Sequence, residues 1–295
     1  MSFEQTIRSS VEFSGVGLHS GMPATMRILP APAGTGIQFR RTDLDDFVIE
    51  ANGRNVAKVS YATSLMKKGV LISTTEHVLS AFIGVGLDNA FVELNALEVP
   101  ILDGSAKLIV DAILRAGLRS QRRHRTYLRV LREVEIREGD KFIAVYPAEK
   151  YTVSYHIDFP PPIGSQCMEV ALSNGCYLKE IAAARTFGFL EDEKTLRNMG
   201  LIRGCSPENA VILSRTTSEI QNPPLRFPDE FVRHKVLDLI GDLALIGHQV
   251  LGRVVAERAG HAMHTALVQR LLRDPSVAEL TTNVEPAHEL QTVAE

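Results

Sequence analysis

The chain has 295 residues, 45% hydrophobic and 23% charged, enough for a large globular core in two domains or in one large α/β domain. A net charge of −3 and a pI near 6.3 exclude a global basic field for nucleic acid or anionic membrane, so an anionic ligand has to be met by a local cluster. The three cysteines, Cys167, Cys176 and Cys205, contain no Cys-x-x-Cys pair, which argues against a disulfide framework or a thiolate zinc site and suits a reducing compartment.

The N-terminus has no basic stretch leading into an apolar run, and no run reaches the ~18 apolar residues of a spanning helix, so a cytoplasmic protein without a transmembrane segment is expected. Gly15-Val16-Gly17-Leu18-His19-Ser20-Gly21 lies between strand-like residues and predicts a tight turn with a solvated His19 at its tip. It lacks the Gly-Lys-Ser/Thr ending of a phosphate loop. Ser73 to His77 leads into the apolar run Val78 to Ile83, which predicts a helix ended near Gly84 or Gly86. Ser73-x-x-Glu76 reads as a capping box, with the carboxylate returning to a free backbone N–H. Ala90–Leu94 reads as a strand, and Asp103 or Ser105 as the cap of a helix from Leu108 to Leu118. The basic run Arg119 to Arg125 reads as a solvated linker and marks the domain boundary.

The second half also runs from strands to helices. Leu128–Leu131, Lys141–Val145 and Val153–Phe159 read as strands, with Pro160-Pro161-Pro162 ending the last of these. A mixed segment around Ala184 to Leu190 precedes a short helix near Asp192 to Met199 and the glycine-bearing Gly200 to Ser206. A helix beginning near Asp229 carries His234, Asp238 and Asp242 at steps of four, so the three side chains share one face. A strand from Val250 to Ala256, interrupted at Gly252, and a helix from Thr265 to Leu272 follow; past about Ser276 the chain reads as a frayed polar tail.

An imidazole and a carboxylate one turn apart can grip a metal ion; a helix face with a partnered histidine and two solvated acids looks the same. A catalytic zinc takes three N or O ligands and leaves one open position. His234 and Asp238 supply two, and His77 is the attractive third because Glu76 beside it is placed to act as a base. His261, after Gly260 at a helix entrance, suits an acid or an oxyanion stabiliser, and Asp242 can hold an imidazole in one tautomer.

Five ordered motifs, followed by Gly260-His261, then become specific: Gly15 to Gly21, Ser73 to His77, Pro100 to Ser105, Ala184 to Phe189 and Asp229 to Asp242. Together they resemble, over about residues 5 to 272, the UDP-3-O-acyl-N-acetylglucosamine deacetylase family, the zinc amidases that commit the lipid A pathway. The resemblance implies an α+β fold of two similarly folded domains, residues 1–124 and 125–275, each a sheet layered against helices with a small insert, and an active site at their interface. Residues 276–295 form the tail. It implies one Zn²⁺ per chain on His77, His234 and Asp238, a His₂Asp set that also accepts Fe²⁺. Glu76 becomes the general base, a protonated His261 the oxyanion stabiliser and acid, Asp242 its orienter, and Thr186 a donor to the oxyanion.

Substrate contacts carried over in the same way are Lys235 and Lys141 near the diphosphate and sugar, Phe159 against uracil, and Phe187 and His19. Lys141 also fits a residue after a Gly-Asp turn, and Phe159 a core position of its strand. The segment Phe187 to Ser206 matches the insert that forms an apolar acyl passage. Gly204-Cys205-Ser206 departs from the usual Gly-Gly-Ser, and Ala62 or Thr63 stands where a cysteine is often found. The expected activity is removal of the N-acetyl group from UDP-3-O-(3-hydroxyacyl)-N-acetylglucosamine by a monomer that binds no nucleic acid. The alternatives are another zinc-dependent N-acyl hydrolase and an RNA-binding module of similar fold, against which the acidic balance counts.

Overall fold

The computed structural model describes residues 2–57, 61–172, 174–222 and 224–283, in which sheets combine with six α-helices as the α+β reading expects. The first elements in chain order are β1 (Phe3–Ile7), β2 (Val11–Val16), β3 (Pro23–Pro30), β4 (Ile37–Arg41), β5 (Phe47–Glu50), β6 (Leu65–Lys67), β7 (Val70–Ile72), α1 (Glu76–Val85), β8 (Ala90–Leu94), α2 (Lys107–Ala116) and β9 (Leu118–His124). Five strands form one sheet in the order β2-β3-β8-β4-β5. Side chains alternate across a strand, and the register aligns Ile28, Val92, Phe39 and Ile49 in one row, all fully buried.

The later elements are β10 (Tyr127–Val130), β11 (Val134–Glu138), β12 (Lys141–Tyr146), β13 (Tyr151–Phe159), β14 (Gly164–Ala171), α3 (Asn174–Glu180), β15 (Phe187–Phe189), α4 (Glu193–Asn198), β16 (Val211–Leu213), α5 (Glu230–Leu243), β17 (Gln249–Glu257), α6 (His261–Arg273) and β18 (Ala278–Thr281). Here β17 is the central strand of a seven-stranded sheet, paired with β10, β12 and β13. A second row, Val134, Val145, Val254, Val153 and Val170, crosses this sheet and is buried throughout. Burying each such aliphatic side chain contributes about 1.5–3 kcal/mol. Helix α5 lies on β13 and β14, and α6 on β11 and β12.

Helices α1 and α5 pack directly on each other. Gly241 makes this possible: a Cβ there would lie 2.0 Å from the Glu76 carbonyl oxygen. The contact brings the first turn of α1 against the polar face of α5.

Four local readings are corrected. The basic run Arg119 to His124 is not a linker but most of β9, paired antiparallel with β1. Arg125 after it is buried against Asp88, donating to both carboxylate oxygens at 2.7 and 2.8 Å. The tail is ordered as far as β18, which pairs with β10 because Val277 and Ala278 bury their side chains; residues 284–295 lie outside the described residues. Strand β17 runs through Gly252 without interruption. Finally, no capping box forms: Thr75 is the N-cap of α1, and the Glu76 carboxylate accepts instead from the Thr63 N–H at 3.0 Å.

Candidate active site

Three elements supply the chemistry. Glu76 and His77 open α1, His234, Asp238 and Asp242 line one face of α5, and His261 is the first residue of α6. The spacing of four residues on α5 works as the sequence predicts, because α1 seals that face from solvent and leaves all three side chains buried.

His77, His234 and Asp238 each offer a ligand atom within 4.8 Å of the others. The Nε2 atoms of His234 and His77 lie 3.3 and 3.6 Å from Asp238 Oδ1, and the two rings meet edge to face at 5.0 Å. His234 Nδ1 donates to the Ala184 carbonyl at 3.1 Å, which leaves its Nε2 lone pair bare toward the triad. Burial pushes His234 down to about 4, so the imidazole is neutral. Burial acts against ionisation of Asp238 too, but His234 and Lys235 outweigh it and hold the carboxyl well below its usual range. A neutral His234 and an ionised Asp238, with His77 Nε2 beside them, give a donor set that fits a divalent cation. Lys235 Nζ donates to Asp238 Oδ2 at 2.6 Å, a neighbour the sequence did not reveal.

Glu76 and His261 flank this triad with opposite tendencies. Burial raises the Glu76 carboxyl to about 7, with His261 and His77 opposing it. For His261, burial favours the neutral form, but the charge and hydrogen bond of Asp242 prevail and raise it to about 9. His261 Nδ1 donates to Asp242 Oδ2 at 2.7 Å, and its Nε2 lies 3.9 Å from Asp238 Oδ2 and so faces the triad. Asp242 is held near 2: burial acts to raise it, and the charge and hydrogen bonds of His261 and His264 overcome that.

Glu76, His77, His234, Asp238 and His261 line a cleft of about 300 Å³ that also includes His19, Phe159, Thr186, Phe187 and Lys235, with Asp242 buried behind His261. Thr186 is fixed by its backbone, donating to the Gly104 carbonyl and accepting from the Val211 N–H, both at 2.8 Å. Phe159 and Phe187 meet edge to face at 5.5 Å, and Phe187 extends the contact to Phe231 at 5.0 Å. Lys141 stands apart, exposed in an adjoining depression with Tyr61, Arg258 and His261. A second cavity of about 180 Å³ adjoins the cleft at Leu18, His19 and Phe187 and is lined by Phe189, Leu196, Ile202 and Cys205. The insert reaches it because Gly204 sits on the glycine turn, where a Cβ would lie 2.3 Å from the Gly17 carbonyl oxygen.

His19 is not a solvated turn residue. It is half-buried at the junction of the two cavities, with a buried Nε2 that has no partner among the described residues. Its turn is held by Glu98, a buried carboxylate that accepts from the His19 and Ser20 N–H groups and from the Thr74 hydroxyl at 2.9, 2.7 and 2.8 Å. Thr63 serves two carboxylates, contacts that no sequence pattern shows: its N–H donates to Glu76 and its hydroxyl to Asp242 Oδ1 at 2.5 Å. Neither residue lies in a periodic pattern, so only tertiary proximity reveals it.

Two imidazoles and a carboxylate with converging ligand atoms, with a carboxyl whose proton affinity is raised and an imidazole reaching the same point, have the logic of a metal-dependent amide hydrolase. Sequence relatives then specify which one. The family model for UDP-3-O-acyl N-acetylglycosamine deacetylase matches residues 4–273, and the chain belongs to that family of metalloenzymes. A UDP-3-O-acyl-N-acetylglucosamine deacetylase of Solibacter usitatus (strain Ellin6076) is 54% identical over 283 residues, covering 96% of this chain and 95% of the relative. One from Anaeromyxobacter sp. (strain Fw109-5) is 45% identical over 289 residues, covering 96% and 93%. Among the described residues no helix is long and apolar enough to cross a membrane.

Proposed function

We infer that the chain hydrolyses the N-acetyl group of UDP-3-O-(3-hydroxyacyl)-N-acetylglucosamine, releasing acetate and the free amine, the committed step of lipid A biosynthesis. Family membership supports the reaction. The observation that carries the assignment of roles is geometric: Glu76 adjoins His77 at the start of α1, and His261, held by Asp242 through Nδ1, turns Nε2 toward Asp238 from the other side of the triad. On this reading residues 1–124 supply Glu76 and His77, residues 125–275 supply His234, Asp238 and His261, and the cleft lies between two domains in a cytoplasmic enzyme.

His77, His234 and Asp238 hold the cation, Zn²⁺ on this reading, with Fe²⁺ acceptable to the same donors. The cation when bound supplies Lewis acidity toward the amide carbonyl and acidifies water. Glu76 takes a proton from the attacking water as its oxygen bonds to the carbonyl carbon. The Thr186 hydroxyl and the His261 cation stabilise the oxygen that gains charge. His261 Nε2 then gives its proton to the nitrogen as the C–N bond breaks, and Asp242 keeps the imidazole aimed at it. Lys235, Lys141 and Phe159 meet the nucleotide sugar, and the apolar cavity past Phe187 takes the acyl chain.

Purified protein is expected to carry about one Zn²⁺ per chain, release acetate from this substrate, lose activity to a chelator and regain it with Zn²⁺. Competition by UDP tests the nucleotide contacts. Acetate release that ignores millimolar UDP, or that survives complete metal removal, contradicts the reading.

A further inference from the structure

A second histidine touches the acid–carboxylate pair and has no part in the reaction just described. His264 follows His261 by three residues on α6, so both side chains leave nearly the same face of the helix. It is fully buried. Its Nδ1 lies 2.8 Å from Asp242 Oδ2, the oxygen that already accepts from His261 Nδ1 at 2.7 Å. Its Nε2 lies 3.1 Å from the Tyr155 hydroxyl, which is itself 2.7 Å from the Ala259 carbonyl. The two rings stand edge to face at 5.9 Å.

Asp242, His261 and His264 also lie close enough together to resemble a metal-binding group. Their contacts argue otherwise. Both histidines present Nδ1 to one carboxylate oxygen at ordinary hydrogen-bond distance, which places a proton in each contact. An ionised carboxylate only accepts, so His264 Nδ1 is a donor. Burial favours the neutral form of His264, with its one proton on Nδ1; the Tyr155 hydroxyl beside Nε2 gives its own hydrogen to the Ala259 carbonyl. Thr63 holds the other oxygen of Asp242. Both carboxylate oxygens are thus tied from α6 and from the loop before β6, and His264 is anchored in turn to β13.

We propose that His264 is a positioning residue: bonded to Asp242 through Nδ1 and packed edge to face against the Tyr155 ring, it steadies the carboxylate that aims His261 at the leaving nitrogen. This rests on the reading of His261 as the acid. A histidine that merely filled space would not need its Nδ1 donor aimed at the carboxylate oxygen that also holds His261. Without the Nδ1–H, Asp242 Oδ2 keeps only His261, and the Thr63 hydroxyl alone is left to fix the carboxylate against the pull of the imidazole.

The test compares His264→Asn, His264→Gln and His264→Leu with wild type in metal content, melting temperature, kcat and KM. The Asn amide nitrogen falls near the position of Nδ1, and the Gln amide near Nε2. Asn is expected to retain most of kcat, while Gln and Leu lower kcat by ~10–100-fold, as outer-shell changes do, with KM and metal content unchanged. Tyr155→Phe removes the hydroxyl given to the Ala259 carbonyl but keeps the ring that packs on His264, and a smaller loss of kcat is expected. Wild-type kcat in the Gln variant, or an Asn variant as impaired as Leu, overturns the proposal. Should Leu fail to fold, the Asn and Gln variants still decide the matter. A readout independent of turnover is the downfield proton NMR signal of the His261 Nδ1–H. It is expected to persist in the Asn variant and to shift or broaden in Gln; an unchanged signal in Gln also overturns the proposal. Wild-type protein that releases no acetate refutes the deacetylase reading, whereas the NMR comparison still judges the clamp.

Discussion

The two walls of the cleft each bury a carboxylate, and the two behave in opposite ways. Glu76, at the start of α1, has one backbone donor, the Thr63 N–H, and its carboxyl is raised to about 7 by burial. Asp242, on α5, is buried as deeply but receives Thr63, His261 and His264, and its carboxyl is held near 2. Burial is common to both; the number of donors and the charge of the partner decide the outcome. A weakly served carboxylate is left free to take a proton, and a fully served one can only orient its neighbour. The difference supports the proposed roles, the base on one wall and the support of the acid on the other.

The largest expected effects fall on the two groups proposed to move protons. Glu76→Ala and His261→Ala should each lower kcat by ~10²–10⁴-fold, with metal content and fold retained. Full acetate release by either variant would remove the distinction between the walls. Next comes Asp242→Asn, which keeps the shape but weakens the hold on His261; a ~10–100-fold loss in kcat is expected. An effect on KM alone would mean that Asp242 serves binding instead. The smallest and most discriminating change is Thr63→Val. It removes the hydroxyl given to Asp242 while leaving the N–H that serves Glu76. A net hydrogen bond contributes about 1 kcal/mol, so kcat should fall by less than ~tenfold, with the rising, base-controlled limb of the pH profile in place.

Much of this site is legible in the sequence because helices repeat. His234, Asp238 and Asp242 share a face by spacing alone, and Glu76-His77 stands at a helix start that turn residues announce. Legibility ends where contacts span long stretches of chain. Thr63 meets Asp242 across 179 residues, and Arg125 meets Asp88 across 37. The same limit explains the basic run Arg119 to His124, whose side chains look solvated while its backbone pairs with β1. It also explains β18, too short and polar to announce itself, which forms because β10 offers an edge. The register rows that build the two sheets lie in alternation the eye can find, but which strands neighbour which is set by tertiary packing.

The most direct test of the central claim is the pH dependence of kcat/KM for acetate release by the metal-loaded protein. A base must be deprotonated and an acid protonated, so activity should rise as the carboxyl assigned to Glu76 ionises and fall as His261 loses its proton near pH 9. The rising limb belongs at or below about pH 7, since a bound cation favours the ionised carboxylate. In His261→Gln the falling limb should disappear from the residual activity. A wild-type profile that stays flat through pH 10, or a falling limb that survives His261→Gln, contradicts the account.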